Sequence, residues 1–232
     1  MNSIQKTARI TGILILIMAV IAPFSMIYLP TTLIVPGDAA TTAKQITAAE
    51  SLFRLGIVSD AIVFLIEIGL CALLYILLKP VSKTLSLVAA FARLAMTILQ
   101  GINLLNYFFV LLLLSGAGYL TVFAPNQLQA LALLFLNAHE SVVLIWGLLF
   151  SLHLLVFGYL TYQSGYLPKI IGILLIIVGL NYLITNFGNI LLPQYKALFT
   201  SLAAISFIEV GFPLWLLIKG INLAQWKYLA QR

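Results

Sequence analysis

Apolar positions along the chain gather into six long blocks, at residues 10–28, 55–78, 85–107, 140–162, 170–191 and 198–218. Each approximates the roughly 20 residues a helix needs to cross ~30 Å of hydrocarbon. None shows the short apolar–polar alternation of a membrane β-strand. The pattern therefore predicts an all-α, polytopic membrane protein: a six-transmembrane-helix bundle forming a single integral membrane domain over residues 1–232. The third and fourth helices are predicted to outgrow their spans. Apolar helical periodicity continues to Leu114 and resumes near Leu128, with Asn126 placed to cap that second stretch after Pro125.

One substantial loop, 30–54, separates the first two blocks and contains the turn Pro36-Gly37-Asp38. Asp38 reads as the N-cap of a short helix, 39–51, with Ala39, Ala43 and Ile46 on one face. This external amphipathic helix either lies on the membrane surface or is a connector that covers the bundle.

Ionisable residues interrupt the apolar blocks. Asp60, Glu67, Glu140 and Glu209 are set against Arg93, with His139 and His153 as further titratable groups. A charged side chain at the bilayer centre costs on the order of 2.5–3.5 kcal/mol on insertion scales, so such residues face a partner, a bundle interior or a wet cavity. Counting along each helix at ~1.5 Å per residue predicts two polar layers. Glu67, Arg93, His153, Asn181 and Glu209 fall near the membrane middle; Asp60, Asn103, Asn106, His139 and Glu140 fall near the outer edge. Asp60 and Glu67 are seven residues apart and share a helix face, as do Arg93 and Gln100. His139 and His153 share a face too, but at ~21 Å separation they cannot ligate one metal.

Arg93 keeps its proton, so it needs a carboxylate, and Glu67 and Glu209 lie at matching depth. On the sixth helix Pro213 lacks the N–H that would serve the Glu209 carbonyl, so a kink, a freed carbonyl and a carboxylate are expected together. On the fifth, Asn181, Thr185 and Asn189 at i, i+4, i+8 form a polar seam suited to hydrogen bonds between helices. An inverted repeat of three helices is not supported: Gly101-Ile102-Asn103-Leu104 recurs as Gly220-Ile221-Asn222-Leu223, but that alignment does not superpose the charged residues.

Composition agrees with the pattern and narrows the chemistry. With 63% hydrophobic and 8% charged residues, the chain lies far from soluble domains. Its net charge of +6 gathers at helix ends, as the positive-inside rule places it, and does not imply nucleic acid. Lys6, Arg9, Lys79, Lys83, Lys169, Lys219, Lys227 and Arg232 fall on one side and Lys44, Arg54 and Lys196 on the other, predicting that both termini are cytoplasmic. The opening resembles a signal peptide but lacks a small-x-small cleavage site nearby, and reads as an uncleaved first helix. The single cysteine, Cys71, offers neither a disulfide nor a metal site within one chain. His139-Glu140 is not an HExxH motif, no GxxxxGK[ST] or GxSxG is present, and Ser151 and His153 point to different helix faces. No metal, cofactor or catalytic residue is assigned.

Several segments taken together resemble an uncharacterised bacterial membrane family, domain of unknown function 4386. They are Pro36-Gly37-Asp38, Ser51 through Gly56 with Asp60, Leu77-Leu78-Lys79-Pro80-Val81, Asn103-Leu104-Leu105-Asn106, His153, and Ser164-Gly165-Tyr166-Leu167-Pro168-Lys169. The resemblance implies a multi-helix protein of the bacterial cytoplasmic membrane and carries no activity with it. The residues themselves point to an intramembrane polar site that binds or moves a proton, a small cation or a small amphiphile. Glu67 and Glu209 would accept it, Arg93 would set their ionisation and His153 would relay protons; Asn181, Asp60, His139 and Glu140 complete the candidate set. Membrane lipids are the expected partners, and the sequence does not specify an oligomeric state. Two alternatives stay open: an intramembrane enzyme acting on a lipid or other apolar substrate, and a structural or accessory membrane protein.

Overall fold

The computed structural model describes residues 3–231, and among them all regular structure is helical. We label the helices α1 (Ser3–Leu33), α2 (Ala39–Ala48), α3 (Glu50–Leu78), α4 (Lys83–Leu113), α5 (Pro125–Gln163), α6 (Lys169–Leu191), α7 (Pro193–Ile218) and α8 (Leu223–Ala230). Six of them, all but α2 and α8, are long and apolar enough to cross a membrane. The fold is thus the expected six-span helical membrane protein. Large apolar side chains such as Val20, Leu65 and Phe207 are exposed, as lipid-facing residues should be.

Helix ends differ from the sequence expectation where local chemistry intervenes. α1 does not stop at Tyr28. After Pro23 it widens into a π-helical turn, Phe24–Tyr28, in which the Leu29 N–H donates to Phe24 O, and it then resumes to Leu33. Pro30 is absorbed in the first turn of the resumed helix, where its missing N–H costs little. α5 starts at Pro125, and the expected Asn126 cap is not used: the Gln127 side chain accepts instead from the Ala124 N–H at 2.9 Å. α4 and α5 do extend beyond their apolar blocks, to Leu113 and from Pro125.

α2 is capped as expected. Asp38 Oδ1 accepts from Thr41 N at 2.9 Å and Oδ2 from Thr41 Oγ1 at 2.6 Å, and these bonds hold its carboxyl below the ordinary range. The helix ends at Ala48 rather than Ser51, because Ala49 leaves helical geometry before Glu50 starts α3. Ala43 and Ile46 are buried, and Ile46 packs with Leu29, Phe53 and Leu136.

The contacts group the chain into two compact units. Among the described residues the first comprises 3–19, Ile66–Thr97 and 144–231. Its core includes Leu70 and Leu77 of α3, Met96 of α4, Leu154 and Phe157 of α5, Val178 of α6 and Leu216 of α7. Backbones approach closely here: a Cβ on Gly12 would lie 2.7 Å from Pro213 O, and one on Gly158 would lie 2.8 Å from Gly172 O. In lipid such close packing replaces the hydrophobic drive that gathers helices in water. The second unit comprises Val20–Leu65 and Ile98–Val143, with Leu29, Phe53, Tyr107, Val110 and Leu136 in its core.

At one end of the first unit the Ser164-Gly165-Tyr166 turn uses a positive φ at Gly165, which glycine tolerates without strain. It places Tyr166 so that its hydroxyl donates to Leu77 O at 2.7 Å; burial pushes that phenol above its ordinary range and keeps it a donor. Trp226 Nε1 of α8 donates to the same carbonyl at 3.0 Å.

Candidate functional site

In the first unit α3, α4 and α5 each deliver one polar side chain to a shared point. Glu67, Arg93 and His153 are 6%, 6% and 1% exposed, so their mutual contacts decide whether they can be tolerated there. Arg93 grips Glu67 in bidentate fashion: Nη2 donates to Oε1 at 2.9 Å and Nε to Oε2. Its Nη1 lies 3.0 Å from His153 Nε2, and His153 Nδ1 lies 2.8 Å from Ala89 O, four residues before Arg93 on α4. A carbonyl only accepts and a guanidinium only donates, so the hydrogen inventory fixes the tautomer. His153 carries its proton on Nδ1, gives it to Ala89 O, and accepts from Arg93 with Nε2.

The imidazole is held by its own helix. Phe150 and Phe157 stack on it with centroids 6.0 and 5.3 Å away, and Arg93 Cζ stands 5.8 Å from the Phe150 centroid. These aromatic positions follow from i−3 and i+4 spacing on α5, which puts all three rings on one face. Glutamate, arginine and neutral histidine sum to zero charge, so the cluster is internally balanced.

Beside it runs a crevice lined by Cys71, Tyr75, Ser86, Ala89, Arg93 and Phe157, too narrow to hold a water molecule. Ser86 Oγ is buried with no hydrogen-bond partner among the described residues. Arg93 has five N–H donors and uses three in the bonds above, leaving two.

Of the expected central layer, then, Glu67, Arg93 and His153 come together. Glu209 does not touch Arg93. It is half-buried on α7, near enough to feel the Arg93 and Glu67 charges, and close to Tyr182. Its backbone setting also differs from the expectation. Ala203–Val210 is a 3₁₀-helix, and the Gly211 N–H is directed at the Ile208 and Glu209 carbonyls, so tighter winding supplies a donor before Pro213 is reached. Asn181 is buried without a described side-chain bond to the cluster. The seam it was expected to form across helices is turned inward on α6: Thr185 Oγ1 donates to Asn181 O at 2.8 Å and Asn189 Nδ2 to Thr185 O at 2.9 Å. Small polar side chains that can reach the carbonyl four residues back satisfy themselves locally.

The second unit holds the other expected layer. Asn103 Nδ2 donates to Gln100 Oε1 at 2.8 Å and to His139 O at 3.1 Å, while Asn106 Nδ2 donates to Asn103 Oδ1 at 2.8 Å. His139 stacks on Tyr107 at 4.0 Å. Glu140 is exposed on α5. Asp60 is buried and accepts from Ser25 Oγ of α1. The sequence offers little to single out Ser25: it is a serine two residues after Pro23, near the end of the first apolar block. Among the described residues no group of three His, Cys, Asp or Glu side chains is placed to hold a metal.

Residues 10–220 match the family described as Domain of unknown function (DUF4386). An uncharacterized protein of Archaeoglobus fulgidus is 27% identical over 170 residues, which cover 73% of this chain and 86% of that protein. No solved structure matches the chain.

Proposed function

The chain belongs to the DUF4386 family, and we propose that it is a proton-responsive membrane protein whose Glu67–Arg93–His153 cluster, with Glu209 beside it, binds or moves a proton, a small cation or a small amphiphile. The observation that carries this reading is the way Arg93 is held. A proton on Glu67 removes the charge that both Arg93 bonds rely on. A proton on His153 Nε2 sets N–H against N–H. Neither residue can take up a proton without loosening Arg93, and Glu209 is then the second carboxylate available to it. The cluster is in this sense a latch that protonation opens, and its unused N–H groups and the unpartnered Ser86 hydroxyl are donors for whatever enters.

A second reading is favoured by the dry crevice. A closed, balanced cluster with no room for water also suits a purely architectural clamp in a structural or accessory protein. Reconstitution distinguishes the two. In proteoliposomes containing a pH-sensitive dye, the latch reading expects proton or amine-driven pH signals that Glu209→Gln abolishes while leaving the folded protein intact. If the unaltered protein gives no pH signal above protein-free vesicles, and Glu209→Gln changes only stability, the architectural reading stands.

We further propose that both termini face the cytoplasm, as the distribution of basic residues suggests. With Cys71 replaced by alanine, single cysteines at Thr41 and Gln194 should react with an impermeant thiol reagent in intact cells. Those at Ser3 and Ser82 should not.

A further inference from the structure

Asp60 presents a different problem from Glu67, and its surroundings solve it differently. It is 7% exposed, and its described partner is a hydroxyl, Ser25 Oγ, itself 1% exposed. The titratable groups nearest to it are neutral or acidic. Tyr107 of α4 lies in electrostatic range of both Asp60 and Glu140, and His139 of α5 stacks on Tyr107. On α1 Tyr28 is exposed; on α2 Lys44 is exposed; and on α3 Arg54 is held by Glu50 at 2.7 Å, both near the surface. Among the described residues no ion pair reaches Asp60.

Ser25 has one hydroxyl hydrogen and two acceptors in range, Asp60 Oδ1 and, at 3.2 Å, Ala22 O of its own helix. It cannot serve both at once, and each choice corresponds to one state of the acid. With Asp60 ionised, the hydroxyl donates to the carboxylate and forms a charge-assisted bond. With Asp60 protonated, the acid O–H donates to Ser25 Oγ, whose own hydrogen turns to Ala22 O. Every donor then has an acceptor in both states, with no further ligand and no cavity required. Ser25 is also the second residue of the π-helical turn, where α1 leaves the i→i+4 register, a feature often found at functional sites.

We propose that Asp60 and Ser25 form a second proton-binding site, separate from the Glu67–Arg93–His153 cluster, in which the Ser25 hydroxyl passes the state of Asp60 to the Ala22 carbonyl at the π-helical turn. The step is a proton gained by a carboxylate from water and a hydroxyl rotating to a new acceptor; no bond between heavy atoms changes. The site stands or falls independently of the latch reading.

The chain contains two aspartates, Asp38 and Asp60. Asp38→Asn keeps a capping side chain at α2 and leaves Asp60 as the one aspartate. The full-length Asp38→Asn protein, labelled with carboxyl-¹³C aspartate and reconstituted in lipid nanodiscs, is followed by infrared spectroscopy through a pH titration, with circular dichroism on the same samples. The protonated-carboxyl band of Asp60 should appear as pH is lowered while the helical signal persists. In Ser25→Ala that band should shift in frequency as its hydrogen-bond partner is lost, and in Ser25→Thr it should return to the parent position. Should Ser25→Ala not fold, the Ser25→Thr and Asp60→Asn difference spectra still assign the band. Absence of the band at every pH where the protein is folded would overturn the proposal, and so would a band indifferent to Ser25→Ala. Loss of the band on adding sodium ions at fixed pH would overturn it in favour of a metal cation as occupant.

Discussion

In the first unit a carboxylate, a guanidinium and an imidazole from three helices neutralise one another at Glu67, Arg93 and His153. In the second, Asp60 rests on a serine hydroxyl of α1, and Asn103, its amide linked along α4 to Gln100 and Asn106, donates to the His139 carbonyl of α5. The two solutions differ in what their loss costs. A buried ion pair that loses one member leaves an uncompensated charge, which is far more expensive than a missing amide bond. Neutral hydrogen bonds between membrane helices average about 0.6 kcal/mol, since the separated helices also find partners. One unit is therefore fixed by an arrangement that resists partial disruption, while the other is joined by bonds that exchange cheaply.

Arg93→Met should have the largest effect, a loss of about 3–5 kcal/mol in unfolding from bicelles. Replacing Glu67 by leucine in the same protein should recover part of it, because two apolar residues bury more cheaply than one unpaired charge. Strictly additive losses would mean that the pair is not coupled. Phe91, 60% exposed and therefore facing lipid, is the control position on the same helix.

His153→Phe preserves a ring between Phe150 and Phe157 but withdraws the acceptor for Arg93 Nη1. A destabilisation of about 1–3 kcal/mol is expected, the range for a buried donor left unsatisfied. A stability equal to the parent would show that the third Arg93 bond contributes nothing and that the cluster is simply an ion pair.

In the second unit Asn103→Leu removes the bonds to Gln100 and to the His139 carbonyl and the acceptor of Asn106 Nδ2. Its expected cost is about 0.6 kcal/mol for each bond lost on the same bicelle scale. A loss as large as that of Arg93→Met would erase the contrast between the units.

The smallest effect belongs to Asp38, which is exposed. Its carboxyl is held below the ordinary value of 3.8 by the Thr41 bonds, so its contribution is complete above that value and is lost as pH falls through the lower folded-state value. The protection of the Thr41 amide, its exchange relative to the unstructured rate at the same pH, should fall on that acid limb, and Asp38→Ala should show the lower protection throughout. If protection in the unaltered protein shows no pH dependence there, the cap does not hold α2.

Six spans are legible because bilayer thickness sets a length that apolar runs must match; α3 and α6 follow their runs closely, while α4 and α5 outgrow theirs. Arg93 could be assigned two candidate partners from depth alone. Choosing Glu67 requires rotational information that helix-by-helix counting lacks, since Glu209 counts to the same level but sits on a 3₁₀-wound segment. Depth counting puts His153 level with Arg93, but its tautomer follows only from Ala89 O standing opposite Nδ1. Asn181, Thr185 and Asn189 differ in another way: the i, i+4, i+8 spacing that suits a seam between helices also brings Thr185 and Asn189 within reach of their own helix backbone. Ser25 lies inside the first apolar block, where a π-helical turn has no periodic signature to single it out.

The Leu77 carbonyl, which receives Tyr166 Oη and Trp226 Nε1, has a consequence for biosynthesis. α3 is made and enters the membrane about 90 residues before Tyr166 and about 150 before Trp226 emerge. Until then the last turn of α3 has backbone acceptors that the finished protein covers with side chains from distant sequence. Translation order thus leaves that turn to water or lipid headgroups first, and the late arrival of α8 completes it. A nascent chain arrested between residues 170 and 220 should expose the end of α3 to proteases that cannot reach it in the released protein.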